Sequence, residues 1–216
     1  MTDSTKPQRL LLVGATGAVG REVMTQALAE PRVAEVVALT RRPLLPAERL
    51  INIVTDFMAL QEVAEWWAVD AVICTLGTTI KVAGSQAAFA AIDRDLPIAI
   101  AAAARQAGAK SFALNSSLGA NLSGNFYLRT KAEAEVGIRE LGYPSFSIVR
   151  PSLIDAERSE SRIGEQVGLA VARCFRPLIP RRYRPVSAAA IARKLLRSAL
   201  DAAPGEHIIE SEAIAE

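Results

Sequence analysis

Residues 10–20 read Leu-Leu-Leu-Val-Gly-Ala-Thr-Gly-Ala-Val-Gly, and this stretch decides the fold class. Its apolar beginning is typical of a buried strand in a parallel sheet. Gly14, Gly17 and Gly20 follow at once and open an apolar-periodic helix that ends at Pro31. A strand that turns through a glycine loop into a helix predicts the first unit of an α/β sheet.

Strand-like and helix-like segments alternate along the rest of the chain. We predict strands at 9–13, 35–40, 50–54, 71–76, 111–115, 146–150 and 207–210. We predict helices at 19–30, 58–67, 85–106, 126–141, 164–175 and 187–202. This alternation predicts a Rossmann-like, doubly wound parallel sheet with helices on both faces. The pattern is less regular beyond Pro151, so we expect residues 1–216 to form one domain in which 151–205 contribute a small substrate-side lobe.

The composition excludes several classes of protein. A net charge of +2 over 216 residues gives no global field for nucleic acid. No apolar run approaches the roughly 18 residues of a membrane span, and the polar residues 1–8 lack the apolar region of a secretion signal. Cys74 lies in an apolar run, which favours a buried thiol over a disulfide and predicts a reducing, cytoplasmic location. A single His leaves little material for a metal site.

The glycine loop has the spacing and the context of a dinucleotide phosphate cradle. Gly14 permits the tight turn, Gly17 lets the backbone approach a pyrophosphate, and Gly20 lets the helix pack closely on the strand. The helix N-terminus then offers free N–H groups to the phosphates. An ordinary glycine turn is the alternative. The cofactor-binding residues predicted in the loop also include Thr16, Ala18 and Val19.

The residues after the second predicted strand indicate which nicotinamide cofactor binds. An acidic residue at this place serves the ribose of NAD, whereas this chain has Arg41 and Arg42. Guanidinium groups match a 2′-phosphate, so we predict that NADP(H) is preferred over NAD(H). Two solvated loop arginines are the alternative. Asp56 and Phe57 follow the third strand, where they would contact adenine, although Asp56 is equally suited to cap the next helix.

Tyr127 and Lys131 are four residues apart, so they share one face of the predicted helix. A nearby ammonium stabilises a phenolate, which lets a tyrosine exchange a proton with a carbonyl oxygen. The strand before this helix ends in two serines, and a hydroxyl there would polarise the substrate carbonyl. Ser116 is our first choice for this hydroxyl and Ser117 the second. The pattern predicts a catalytic set of Tyr127, Lys131 and Ser116.

These residues resemble the short-chain dehydrogenase/reductase superfamily in its extended or atypical branch. The likeness is closer still to the Tat-interacting protein family of NADPH-binding members, and it runs to about residue 210. The segments that carry it are Cys74-Thr75-Leu76-Gly77-Thr78-Thr79, Asp93-Arg94-Asp95, Ser116-Ser117-Leu118-Gly119-Ala120, Asn125-Phe126-Tyr127-Leu128, Arg150-Pro151 and Glu160-Ser161-Arg162. The resemblance implies that Leu76 and Gly77 contact the cofactor after the fourth strand. It also implies contacts from Ile154 and Arg162 after the sixth.

Two positions depart from the superfamily pattern. Many of its enzymes carry an Asn of a proton relay in the helix after the fourth strand, and residues 91–95 contain none. Ser152 stands where Pro-Gly is common. The resemblance nevertheless implies an NADPH-dependent oxidoreductase acting on a small carbonyl or alcohol. The alternatives are an NADPH-binding regulatory or interaction protein with little turnover, or a sugar-nucleotide epimerase-like enzyme. We expect a small-molecule substrate and a monomer or homodimer.

The segment 157–184 is rich in arginine and is flanked by prolines. It follows the sixth strand, on the edge of the sheet where open α/β folds bind ligands. We therefore predict that it covers the substrate side of the cofactor, with Arg162 linking the cover to the cofactor. A packed helix beside a solvated arginine-rich turn is the alternative.

Overall fold

Seven parallel strands form the main sheet of the computed structural model, which describes residues 6–57, 60, 64–155 and 180–214. The strands are β1 (Gln8–Val13), β2 (Val33–Thr40), β3 (Leu50–Val54), β4 (Ala71–Cys74), β5 (Ser111–Asn115), β6 (Ser145–Arg150) and β9 (Gly205–Glu210). Their order in the sheet is β3-β2-β1-β4-β5-β6-β9. Each neighbouring pair is parallel. The predicted Rossmann-like fold class is confirmed.

Helices cover both faces of this sheet. They are α1 (Ala18–Ala29), α2 (Ile80–Ala83), α3 (Gln86–Ala90), α4 (Leu96–Gln106), α5 (Phe126–Arg139) and α6 (Ala188–Asp201). Leu10 and Leu12 of β1 belong to a core cluster with residues of α1 and α6. Leu11 and Val13 belong to a second cluster with residues of α4 and α5. Because alternate side chains enter opposite cores, the strand is apolar throughout rather than alternating.

Several local elements differ from the sequence prediction. The helix predicted at 85–106 is interrupted by a π-helical turn at Ala91–Asp95. Of the residues of the predicted helix 58–67 that the structure describes, Glu65–Trp67 form a 3₁₀ turn. A two-stranded sheet of β7 (Ile154–Asp155) and β8 (Val186–Ser187) was not predicted, because strands this short carry no periodic pattern. The helix predicted at 164–175 lies outside the described residues.

The topology brings the candidate site residues to one edge of the sheet. In parallel strands the carboxyl ends meet at the same edge. The glycine loop follows β1, Arg41 and Arg42 follow β2, and the two serines follow β5. From β1 the chain adds β2 and β3 on one side and then returns to add β4, β5 and β6 on the other side. Open α/β sheets bind ligands in the crevice at such a switch point.

Candidate active site

Gly14 makes a close junction between the glycine loop and the end of β4. Its φ of +90° lies in the left-handed region that favours glycine. A Cβ at this position would stand 2.6 Å from Thr75 Oγ1 and 2.7 Å from the Thr75 carbonyl carbon. The Thr75 hydroxyl lies within hydrogen-bond distance of the carbonyls of Val13 (3.0 Å) and Gly14 (3.2 Å). Thr75 therefore fixes the first glycine against the neighbouring strand.

Gly20 and Gly17 are glycines for different reasons. A Cβ on Gly20 would overlap the Gly14 carbonyl oxygen and stand 2.9 Å from the Ala15 Cα, so close packing requires glycine there. Gly17 has an ordinary φ of −73°, and its Cβ would meet nothing closer than the Gly14 oxygen at 3.4 Å. The fold itself makes little demand for glycine at position 17. Gly17 is exposed at the start of α1, where no side chain caps the helix.

The Arg41–Arg42 turn is held by side chains of β2 and β3. The Thr40 hydroxyl donates to the Arg42 carbonyl at 2.7 Å. Asn52 donates to Thr40 Oγ1 (2.7 Å) and to the Ala38 carbonyl (3.0 Å), and its own oxygen accepts from the Leu44 amide at 2.7 Å. Both arginines are exposed, and neither forms an ion pair with a described residue. The turn presents two guanidinium groups from a fixed backbone.

Lys131 is buried at the carboxyl edge beside the loop after β4. Its side chain is 8% exposed, and its ammonium lies 2.6 Å from Oδ1 of Asp93, whose side chain is fully buried. Asp93 Oδ2 accepts from the Thr78 amide at 2.9 Å. A Cβ on Gly77 would stand 3.7 Å from Lys131 Nζ and 3.6 Å from Asp93 Oδ1. The ammonium is thus held against the backbone of this loop.

Tyr127 lies one turn before Lys131, at the start of α5. Asn125 caps the helix by accepting from the Leu128 amide at 3.0 Å. The Tyr127 ring is half-buried and packs against the ring of Phe89, with 5.5 Å between centroids. Its hydroxyl donates to no described residue, whereas the buried Tyr143 hydroxyl donates to the Ala101 carbonyl at 2.6 Å. The phenol of Tyr127 is positioned by its ring and leaves its hydroxyl free of protein partners in the described part of the chain.

The two serines after β5 have different surroundings. Ser116 is buried, and its hydroxyl donates to Glu135 Oε1 at 2.5 Å. Glu135 also accepts two hydrogen bonds from Arg150, at 3.0 and 2.5 Å, and Arg150 reaches Glu210 at 3.1 Å. This buried network joins α5 to β6 and β9. Ser117 is half-buried, and its hydroxyl has no partner among the described residues.

The other predicted site residues lie outside the glycine loop and outside the helix that carries Tyr127 and Lys131. Leu76 and Phe57 are half-buried against the second core cluster, and Asp56 is exposed after β3. Ile154 lies in β7, outside the main sheet, with 39% of its surface exposed. Arg162 and most of the predicted cover at 157–184 lie outside the described residues.

Three site residues were not predicted from the sequence, and only Asp93 among them carries a sequence signal. Asp93 lies on the same buried face of its helix as Phe89 and Ile100. A carboxylate buried among apolar side chains requires a partner. Thr75 and Asn52 are polar residues at the end of one strand and in the middle of another. Neither carries a distinctive spacing, and only the packing of adjacent strands reveals their roles.

A family model described as NAD(P)H-binding matches residues 14–173, more than half of the chain. The chain belongs to this NAD(P)H-binding family. It is 38% identical to the mitochondrial protein Fmp52 of Emericella nidulans over 173 residues, 76% of this chain and 72% of that protein. It is 35% identical to the protein HTATIP2 of Rattus norvegicus over 162 residues, 72% of this chain and 66% of that protein. The predicted likeness to the Tat-interacting, atypical short-chain dehydrogenase/reductase proteins is confirmed.

The solved structure of MoeE5 in complex with UDP-glucose and NAD shares the fold of this chain. The TM-score is 0.71 at 17% sequence identity, and the match covers 95% of this chain and 79% of that one. At this level of identity the likeness establishes the Rossmann-like fold alone.

The predicted cytoplasmic location is wrong on the evidence of these relatives. The Fmp52 proteins of Emericella nidulans, Aspergillus fumigatus and Candida albicans are named mitochondrial, a compartment other than the cytoplasm. The prediction depended on cysteine usage, which reports the redox state of a compartment and does not identify the compartment. Within the described ranges, no helix combines the length and apolarity required to cross a bilayer.

Proposed function

We propose that this protein is an NADPH-dependent oxidoreductase that reduces a small carbonyl compound or oxidises the corresponding alcohol. One observation carries the proposal. The Lys131 ammonium, on the same helix face as Tyr127, is held beside Gly77 in the loop after β4, and Thr75 of that loop contacts Gly14 of the glycine loop. A proton-transferring pair and a phosphate-binding loop therefore meet at the switch point of the sheet.

The glycine loop fits a dinucleotide pyrophosphate. Gly14 and Gly20 are required by the packing of the protein, but Gly17 is not, because its backbone is ordinary and its Cβ would fit. A Cβ at Gly17 would project into the space at the uncapped N-terminus of α1, where a phosphate accepts from backbone N–H groups. The pyrophosphate supplies the reason for glycine at this position.

The Arg41–Arg42 turn supports a preference for NADPH over NADH. Two exposed guanidinium groups without carboxylate partners among the described residues suit the 2′-phosphate, and Thr40 and Asn52 fix the backbone that carries them. A fixed backbone loses little conformational entropy on binding, so the ordering cost that remains is that of the two arginine side chains.

The proton chemistry is assigned to α5 and the end of β5. When bound, NADPH supplies the hydride. Tyr127 donates the proton to the carbonyl oxygen, and Lys131 stabilises the phenolate that forms and holds the nicotinamide ribose. Because Ser116 gives its hydrogen to Glu135, the free hydroxyl of Ser117 is the better-supported donor to the carbonyl oxygen. Ser116 then serves as the buried link between β5 and α5.

The proposal is tested by calorimetric titration with NADPH and with NADH, followed by assay of NADPH oxidation with a panel of small aldehydes and ketones. We expect NADPH to bind about 10- to 100-fold more tightly than NADH, and turnover to depend on Tyr127. Tight NADPH binding without turnover on any carbonyl would favour the alternative of an NADPH-binding regulatory protein. Absence of binding to either cofactor would refute the proposal.

A further inference from the structure

Asp93 is a carboxylate on the apolar face of a helix. Its residue is 2% exposed, and it lies in the π-helical turn Ala91–Asp95 between α3 and α4. The Leu96 amide donates to the Ala91 carbonyl, five residues back, which defines the wide turn. Pro97 lacks an N–H and its ring would crowd the carbonyl of residue 93, so a regular α-helix is disfavoured here. Proline thus widens the helix at the position from which Asp93 reaches the site.

Both carboxylate oxygens of Asp93 are directed at site residues. Oδ1 lies 2.6 Å from the Lys131 ammonium, and no other described group pairs with it. Oδ2 accepts from the backbone amide of Thr78 at 2.9 Å. Asp93 therefore connects the Lys131 ammonium on α5 with the loop that carries Gly77. The neighbouring Asp95 is exposed and pairs with Arg94, which also reaches Glu133 on the surface of α5.

We propose that Asp93 is the positioning residue for Lys131, and that its carboxylate supplies the counter-charge for the ammonium and directs it at the cofactor loop. This inference rests on the proposed function, because Lys131 acts there on the bound cofactor. A buried ammonium is costly unless it is paired, and a lysine side chain has many rotamers to lose. The 2.6 Å contact between Asp93 and Lys131 offsets the cost of burying the charge, because it supplies a counter-charge. It also selects one conformation of the lysine side chain.

Among the residues that the structure describes, few other titratable groups lie near the pair. Tyr127 lies one turn away on α5, and Glu135 lies one turn further on, where Arg150 neutralises it. The Cys74 thiol at the end of β4 is fully buried, which raises its pKa to about 11 and keeps it neutral near physiological pH. Without the Asp93 carboxylate, the buried ammonium has no counter-charge, so its hold on the nicotinamide ribose should weaken as the pH rises.

The test measures NADPH affinity from about pH 7 to about pH 9.5 for a parent protein, for Asp93→Asn and for the control Asp95→Asn. Each is made in a Tyr127→Phe background, which removes titration of the phenol. We expect the loss of NADPH affinity in Asp93→Asn, relative to its parent, to grow about twofold across this range, which is what a one-unit change from the ordinary lysine value gives by about pH 9.5. Asp95→Asn should match the parent throughout. A deficit that is absent, or is the same at every pH, would overturn the inference.

Asp93→Glu separates charge from position. It keeps the negative charge but displaces the carboxylate by one methylene, so we expect weaker binding with the pH profile of the parent. If Asp93→Glu shows the same pH-dependent loss of NADPH affinity as Asp93→Asn, the inference is overturned. If Asp93→Asn does not fold, Asp93→Ser, which leaves room for water beside the ammonium, carries the same test. Failure of the parent to bind NADPH would refute the proposed function as well. If the parent binds NADPH but the ratio of its affinity to that of Asp93→Asn is the same at every pH, only the role of Asp93 is refuted.

Discussion

The hydroxyl of Ser116 donates to the carboxylate of Glu135 at 2.5 Å, within a buried network that includes Arg150. Ser116, which follows β5, therefore has its hydroxyl bonded in the interior, although its place in the sequence suits a catalytic hydroxyl. Ser117, the next residue, is half-buried and has a hydroxyl without a described partner. The structural role proposed for Ser116 and the catalytic role proposed for Ser117 can be tested by replacing each serine in turn.

Ser117→Ala should lower kcat about 100-fold, because a hydroxyl that polarises the carbonyl in the transition state would be lost. Ser116→Ala should lower kcat much less. It should instead reduce the free energy of unfolding by about 1–3 kcal/mol, because buried Glu135 loses a donor. Steady-state kinetics and urea unfolding of both variants provide the comparison. A larger loss of kcat in Ser116→Ala than in Ser117→Ala would return the catalytic role to Ser116.

Gly17→Ala and Gly20→Ala should fail in different ways. Gly17→Ala should unfold at nearly the same urea concentration as wild type but bind NADPH at least about tenfold more weakly, because its methyl group occupies phosphate space. Gly20→Ala should be destabilised by several kcal/mol, because its Cβ overlaps the Gly14 backbone. Urea unfolding and cofactor titration separate the two effects. Unchanged NADPH affinity in a folded Gly17→Ala would place the pyrophosphate elsewhere.

Replacing both Arg41 and Arg42 by Ala should weaken NADPH binding about 10- to 100-fold, since charged hydrogen bonds to a phosphate are lost. NADH affinity should remain within about twofold, because NADH lacks the 2′-phosphate. Arg193→Ala, which removes an exposed arginine from α6, is the matched control and should change neither affinity. Equal losses for both cofactors would show that the arginines act by general attraction rather than by recognising the 2′-phosphate.

Tyr127→Phe should lower kcat about 100- to 10,000-fold, the usual range for removal of a general acid. Its NADPH affinity should stay close to that of wild type, because the ring that packs on Phe89 is retained. Cofactor titration and kinetics on the same preparation provide the test. Full turnover in Tyr127→Phe would contradict the acid–base assignment.

Burial of Cys74 should make the folded state lose stability at alkaline pH. Desolvation raises the pKa of this thiol to about 11, from an ordinary value of 9.0. The unfolded chain then releases the thiol proton above about pH 9 while the folded chain keeps it, so the stability contribution falls as pH rises. The loss should reach about 2–3 kcal/mol near pH 11. Urea unfolding of wild type and Cys74→Ala across this range isolates the effect, which parallel curves would contradict.

The sequence by itself determined the fold class and the outline of the site. The apolar run before Gly14 and the repeated alternation of strands and helices follow from side-chain burial with fixed periods, which is local information. The glycine loop, the Arg41–Arg42 turn and the Tyr127–Lys131 spacing were readable for the same reason, since each lies within one strand–loop–helix unit.

The tertiary structure alone decided which polar groups pair across elements. Asp93 meets Lys131 from a helix 38 positions earlier in the chain, and Glu135 binds Ser116 across the space between α5 and β5. Such pairs depend on how helices pack on the sheet and on a turn widened by Pro97, neither of which has a local period. A buried carboxylate must find a partner, but the sequence does not say which cation the fold will bring to it.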